Sequence, residues 1–300
     1  MSEQIISDAA QISQLAAPDG SRLVLHDWPQ RSSLPARATV LMVHGLGEHG
    51  GRYALAARHL NEWGFAARSY DQYGHGLSDG PRGGLSSDTR LLDDLAFVID
   101  DTRSRMPRGQ PLVLLGHSMG GLVAALFVAK GMRSVDALVL SSPALAIHLS
   151  PVQKLMLSVL PQIIPNLRVA NGLQVDYLSH DPAVCAAYRA DSLCHDSISA
   201  RLGQFLAEGG AQVQSRARHW CVPSLLLWAG EDRLVDPEGS RLFAAHAPAD
   251  QLQSQCFGGA YHELFNESPE LADPVWQRLG DWLDARFCAS GMAGHGVQGA

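Results

Sequence analysis

Lysine is nearly missing from this chain of 300 residues, occurring only at positions 130 and 154. No basic run or stripe is present. The formal charge of −7 argues against a dedicated nucleic-acid binder and gives the chain no electrostatic pull toward anionic membranes. C-x-x-C pairs are absent. The five cysteines, at 185, 194, 221, 256 and 288, are odd in number and far apart, which fits reduced thiols and not a disulfide framework. No H-x-x-x-H or H-E-x-x-H pair falls on a helical pattern, so the thirteen histidines carry no zinc signature. Residues 1–20 lack the basic start and apolar run of a secretory signal, and no stretch reaches about 18 continuous apolar residues. The expected location is therefore the cytoplasm.

With 46% hydrophobic and 18% charged residues, the chain can bury a large core, and one α/β domain with an insertion fits its length. Short apolar or β-branched runs predict strands at 22–28, 39–44, 66–70, 112–116, 137–141, 224–228 and 252–257. Helical patterns lie between most of them. In 90–105, Leu91, Leu92, Leu95, Val98 and Ile99 recur at helical spacing opposite Asp93, Asp94, Asp100 and Asp101, with Asp88 available as a cap. Such alternation implies a mostly parallel sheet covered on both faces, with ligand chemistry at the carboxyl ends of its strands.

The alternation stops between about 143 and 221, where helical patterns occur without a strand. This predicts a helical lid over 146–217, inserted into a core of 18–145 and 218–288, with an N-terminal extension at 1–17 and a disordered, glycine-rich tail at 289–300. The first lid segment spaces Leu149, Val152, Leu155, Met156, Val159 and Leu160 helically, and Pro161 and Pro165 should end or kink it. Its apolar stripe has two readings: packing on the core, or lining an acyl tunnel and resting transiently on a lipid surface.

Chemistry concentrates at the strand ends. Gly116-His117-Ser118-Met119-Gly120-Gly121 follows the apolar run 111–115, so Ser118 sits where a buried strand turns sharply into a helix, with small residues two before and two after it. This resembles the nucleophile elbow of an α/β-hydrolase. A nucleophilic serine needs a base, an acid to orient that base, and donors for the oxyanion. After strand 224–228 comes Gly230-Glu231-Asp232-Arg233-Leu234-Val235-Asp236, where Asp232 is the candidate acid and Glu231 and Asp236 compete. After the last strand, Gly258-Gly259-Ala260-Tyr261-His262 delivers the only histidine of that loop, the candidate base. His44-Gly45-Leu46-Gly47 follows strand 39–43, so the amide of Leu46 can join that of Met119 as an oxyanion donor. The remaining motif histidines, His44, His49, His75 and His117, more naturally shape their loops than exchange protons.

Four stretches together resemble the monoacylglycerol lipase group of α/β-hydrolases, related to lysophospholipase-like and serine-aminopeptidase-like members. They are the block from His44 to Tyr53 with its H-G-x-G-E-H-x-x-R-Y pattern, the block from Asp71 to Gly80, the elbow around Ser118, and Tyr261-His262 with Gly230-Glu231-Asp232. The likeness runs from about Pro18 to Phe287 and is weakest in the lid. It implies Ser118 as nucleophile, Asp232 as acid, His262 as base and the Leu46 and Met119 amides as oxyanion donors. It also implies fatty-acid glycerol monoesters as substrates, no metal or other cofactor, and no obligate protein partner. In the lid, the stretch from Asp176 to Pro182 is similar to family members, so Tyr177 could meet the glycerol end of a substrate. Lysophospholipase, general esterase and peptidase activities share the same machinery and stay open; Asp176, Asp181 and Asp191 could serve a peptidase by holding a substrate ammonium. A non-catalytic receptor that keeps the fold is the alternative of another class.

Overall fold

The computed structural model describes residues 9–30 and 35–287. Its strands, in chain order, are β1 Gln11–Ala16, β2 Arg22–Trp28, β3 Thr39–Val43, β4 Ala66–Asp71, β5 Leu112–His117, β6 Ala137–Ser141, β7 Arg168–Ala170, β8 Ser197–Ser199, β9 Ser224–Ala229 and β10 Leu252–Phe257. Eight of them form one sheet in the order β1-β2-β4-β3-β5-β6-β9-β10, parallel from β4 onward and antiparallel at the β1–β2 and β2–β4 pairings. All residues of β3, β5 and β6 are buried, as apolar strands covered on both faces must be.

Alternation along these strands divides the core in two. Leu41 and Val43 of β3, Leu112 and Leu114 of β5, and Leu138 and Leu140 of β6 share one cluster with α2 (Arg90–Arg105) and α3 (Met119–Ala129). Val40, Met42, Val113, Leu115, Ala137 and Val139 share the other with α1 (Ala54–Glu62) and α8 (Pro269–Arg286). The remaining helices are α4 Pro151–Ile163, α5 Pro182–Ala190, α6 Ala200–Arg216 and α7 Pro237–His246. None of the described helices is long and apolar enough to cross a membrane.

Several local expectations need correction. The expected extension includes β1, an edge strand whose Ile12 is exposed and whose apolar residues do not alternate cleanly. The segment thought free of strands contains β7 and β8, which pair antiparallel over three residues each, too short to leave a periodic signature. Asp88 does not cap α2; Thr89 holds that position without a capping bond, and Asp88 pairs with Arg201 of α6 at 2.9 Å. Pro161 lies inside α4, which Ser150 and Gln153 start with a capping box and which continues to Ile163, short of Pro165. The tail at 289–300 lies outside the described residues.

The elbow depends on close backbone approach. A Cβ on Gly120 would stand 2.1 Å from the carbonyl oxygen of Val43 and 2.4 Å from that of His44, and one on Gly116 would stand 2.4 Å from the Gly120 oxygen. All three neighbours are backbone oxygens, which cannot swing aside as a side chain would. Gly120→Ala should therefore cost at least the ~1–3 kcal/mol of an overpacked core site. Gly258→Ala, which meets nothing within 4 Å, should stay within about 0.5 kcal/mol of the parent. Urea denaturation of the two variants checks this; equal midpoints would contradict it.

Candidate active site

Ser118 follows β5 and precedes α3 with φ 54° and ψ −120°, and Ser142 is the only other non-glycine residue at positive φ among the described residues. Such a conformation costs about 1–3 kcal/mol and persists only where neighbours enforce it. They do so here: the Ser118 N–H donates to Ser141 O at 3.0 Å, and its carbonyl accepts from Leu122 and Ala144, each at 3.0 Å. The strained turn and the two glycines beside it form one construction.

Of the three acids in the loop after β9, only Asp232 meets His262. Its Oδ2 lies 2.7 Å from Nδ1, while Oδ1 accepts from the amides of Leu234 and Val235 at 2.9 and 3.1 Å. Asp236 instead caps α7 by accepting from Glu238 N, and Glu231 is exposed. Both side chains of the Asp232–His262 pair are buried. Burial alone would push the imidazole down, but the charge and hydrogen bond of Asp232 outweigh it and raise His262 above its ordinary 6.5. Burial would likewise raise Asp232, and the imidazole outweighs it and lowers the carboxyl. With Nδ1 committed to Asp232, Nε2 is the nitrogen left for a nucleophile.

Ser118, His262, Leu46 and Met119 all line one cavity of about 480 Å³. Most of the rest of its wall is apolar, including Leu149, Met156, Leu157, Leu160 and Leu206. No aspartate or glutamate lines it; Arg233 does. Tyr177 is not on that wall. Its hydroxyl accepts from Arg233 Nη1 at 3.0 Å and its ring lies beneath the guanidinium at 4.5 Å, so Tyr177 orients a cavity residue. The three lid aspartates are also spoken for: Asp176 pairs with Arg189, Asp181 caps α5, and Asp191 binds His49.

The loop histidines hold backbone in place. His44 accepts from Gln72 N through Nε2 at 2.9 Å, which leaves its Nδ1–H to donate to Gly45 O at 2.8 Å. Burial holds His44 below its usual value; burial first and then His262, whose ring centroid is 4.8 Å away, bring His117 down to about 4. His49, Asp191 and Cys194 bring ligand atoms within 4.8 Å of one another. Yet His49 Nδ1 accepts from Gly51 N, so Nε2 carries the proton that it donates to Asp191. A metal at Nε2 would need the opposite tautomer, and burial keeps the Cys194 thiol protonated up to about 12. That donor set does not suit a cation.

Sequence reasoning missed Arg233 and a buried cluster of Glu48, Arg52 and Glu263. The i, i+4 spacing of Glu48 and Arg52 was a signal for half of that cluster. Glu263 lies 211 positions from Arg52 and gave none.

The family model "Serine aminopeptidase, S33" matches residues 35–269. The monoacylglycerol lipase of Mycolicibacterium smegmatis is 32% identical, over 88% of this chain and 94% of that protein. The human monoglyceride lipase is 30% identical, over 94% of this chain and 93% of the relative. The crystal structure of the monoacylglycerol lipase of Paleococcus ferrophilus superposes with a TM-score of 0.80 at 32% identity, covering 88% of this chain and 99% of the other.

If His262 must be neutral to act, the acid limb of kcat/KM should have its midpoint above 6.5, the ordinary value for the group. Asp232→Asn removes the two strongest influences that raise His262, its charge and its hydrogen bond, and leaves burial opposed only by the weaker pull of Glu263 and Glu48, so any residual activity should show that limb displaced to lower pH. Turnover should fall by roughly 10⁴-fold, whereas Asp236→Asn should cost little. A pH–rate series on the three proteins decides; an unmoved limb in Asp232→Asn contradicts the assignment.

Proposed function

The chain belongs to the serine aminopeptidase S33 family, and from that premise we propose that it hydrolyses monoacylglycerols to fatty acid and glycerol through Ser118, His262 and Asp232. The observation that carries the reading is the buried Asp232–His262 bond, with His262 and the strained Ser118 lining one mostly apolar cavity. His262 takes the Ser118 hydroxyl proton through Nε2 as the oxygen attacks the ester carbonyl. The oxyanion forms against the Leu46 and Met119 amides, the imidazolium is stabilised by Asp232, and its proton leaves with the glycerol oxygen. Water then repeats the sequence on the acyl-enzyme and releases the acid.

An ester with a long acyl chain fits the wall, gaining about 0.8 kcal/mol for each CH₂ buried. A peptidase reading is disfavoured, because the cavity offers no carboxylate to a substrate ammonium and the lid aspartates are engaged elsewhere. Free thiols at Cys185, Cys194, Cys221 and Cys256 support a cytoplasmic address. The lid also supports a transient contact with lipid surfaces. On α4, Val152, Leu155 and Ile163 are 66, 67 and 70% exposed, while Leu157 and Leu160 line the cavity.

Wild-type protein should turn over monoacylglycerols and short p-nitrophenyl esters but not aminoacyl anilides, and a fluorophosphonate should label it and leave Ser118→Ala unlabelled. Equal labelling of both would remove Ser118 from its role; efficient anilide cleavage would favour the peptidase. For the lid, Leu155→Asp combined with Ile163→Asp should weaken sedimentation with neutral phosphatidylcholine vesicles several-fold and leave turnover of a soluble short-chain ester unchanged. Undiminished sedimentation would show that this face does not meet lipid.

A further inference from the structure

The side chains of Glu48, Arg52 and Glu263 are only 5, 13 and 4% exposed, and burying charge is costly even when it is paired. Each end of this cluster reaches a catalytic loop. Glu48 Oε1 accepts from Gly45 N at 2.6 Å and from the Tyr53 hydroxyl at 3.0 Å, and Oε2 accepts from Arg52 Nη1 at 2.6 Å. On the other side, Arg52 donates from Nη1 and Nη2 to the two oxygens of Glu263 at 2.7 and 2.9 Å, and Asn266 Nδ2 adds a bond at 2.8 Å. Glu263 is the residue after the proposed base. Gly45 is the residue before the proposed oxyanion donor Leu46.

The sheet cannot set the distance between those two groups directly. The Leu46 loop leaves β3 and the His262 loop leaves β10, and β5, β6 and β9 stand between them. The peptide that carries the Leu46 N–H is held at its carbonyl end by His44 Nδ1, and Gly47 O is held by the Tyr188 hydroxyl at 3.1 Å and His195 N at 2.9 Å. These bonds fix the direction of the donor within its own loop. Where that loop stands relative to the base depends on links between the two loops: the lid ties Gly47 O and Glu263 N through Tyr188, His195 and Leu178, and Arg52 joins Glu48 and Glu263 directly through side chains.

Building on the serine-hydrolase reading above, we propose that Arg52, clamped between Glu48 and Glu263, is a positioning residue that holds the Leu46 amide and His262 in register. The guanidinium suits the task because its planar fork takes Glu263 bidentately while still reaching Glu48, which a single ammonium cannot do. Neither glutamate lines the cavity that Ser118 and His262 share; with Arg52 and His117 they line a separate recess of about 30 Å³, so the effect on the reacting groups passes through the loops. The two carboxylates also help keep the His262 imidazolium favourable, although Asp232 does more.

The test measures kcat, KM and the fluorophosphonate labelling rate with a soluble short-chain ester, alongside the thermal midpoint. A misplacement of reacting groups by about 1 Å costs on the order of 100-fold, so Arg52→Met should lower kcat and labelling by roughly that factor, with KM within about threefold. Glu263→Gln keeps the shape and one acceptor but loses the charge, and should lower both by roughly 10-fold. Arg52→Lys should recover part of the loss. If Arg52→Met fails to fold, Glu263→Gln decides alone. A lowered midpoint with unchanged kcat, or a raised KM with unchanged kcat, overturns the brace. Wild-type protein that neither labels nor hydrolyses esters would overturn the reaction as well, whereas an active wild type with an equally fast Glu263→Gln removes the brace only.

Discussion

The carbonyl oxygens of Val43 and His44 stand where a side chain on residue 120 would have to be. That steric condition brings the first turn of α3 against the end of β3, and most of the candidate site follows from it. Met119 and Leu46 belong to segments that leave neighbouring strands and line one cavity, and Gly120 lets those segments touch. The same approach forces the backbone of Ser118 into a conformation few residues adopt. A helix N-terminus at this point adds a favourable field for developing negative charge. The strained backbone of Ser118 and the close approach of the Leu46 and Met119 segments are therefore aspects of one packing contact.

Electrostatics then separates histidines that share the same burial. Desolvation disfavours the imidazolium at His44, His75, His117 and His262 alike. Three of them meet mainly backbone carbonyls and amides or other imidazoles, and their values fall. His262 alone meets a buried carboxylate at 2.7 Å, and its value rises. A neutral His117 beside it leaves the base without a competing cation. Among these four equally buried histidines, His262 is therefore set apart by its partner and not by depth.

How much could be read from the chain follows from the range of each interaction. The elbow was legible because its glycines are dictated by backbone contacts within five positions of the serine. Strand order pointed to His262 and to Asp232, with Glu231 and Asp236 competing; the bond that joins Asp232 to His262 and the capping bond that engages Asp236 are details of three-dimensional geometry. The Arg52–Glu263 pair was not legible, since nothing local marks residues 211 apart as neighbours. β1, β7 and β8 were missed because edge position or three-residue length erases periodicity. The stripe on α4 carried two readings, and the helix divides them: Leu157 and Leu160 turn inward to the cavity, while Val152, Leu155 and Ile163 remain outside.

The insertion above the sheet is fastened unevenly. Its later half, from Tyr177 to His195, is sewn to the loops below by Glu263 N on Leu178 O, by the Tyr188 hydroxyl on Gly47 O and by His195 N on the same oxygen. Its first helix rests chiefly on another lid element, with Leu157 against Gly203 of α6. Replacing the inward residues of α4 can therefore reshape the far end of the cavity while the chemistry beneath stays undisturbed. The fold thus keeps the wall that carries Ser118 and His262 apart from a wall that is free to vary.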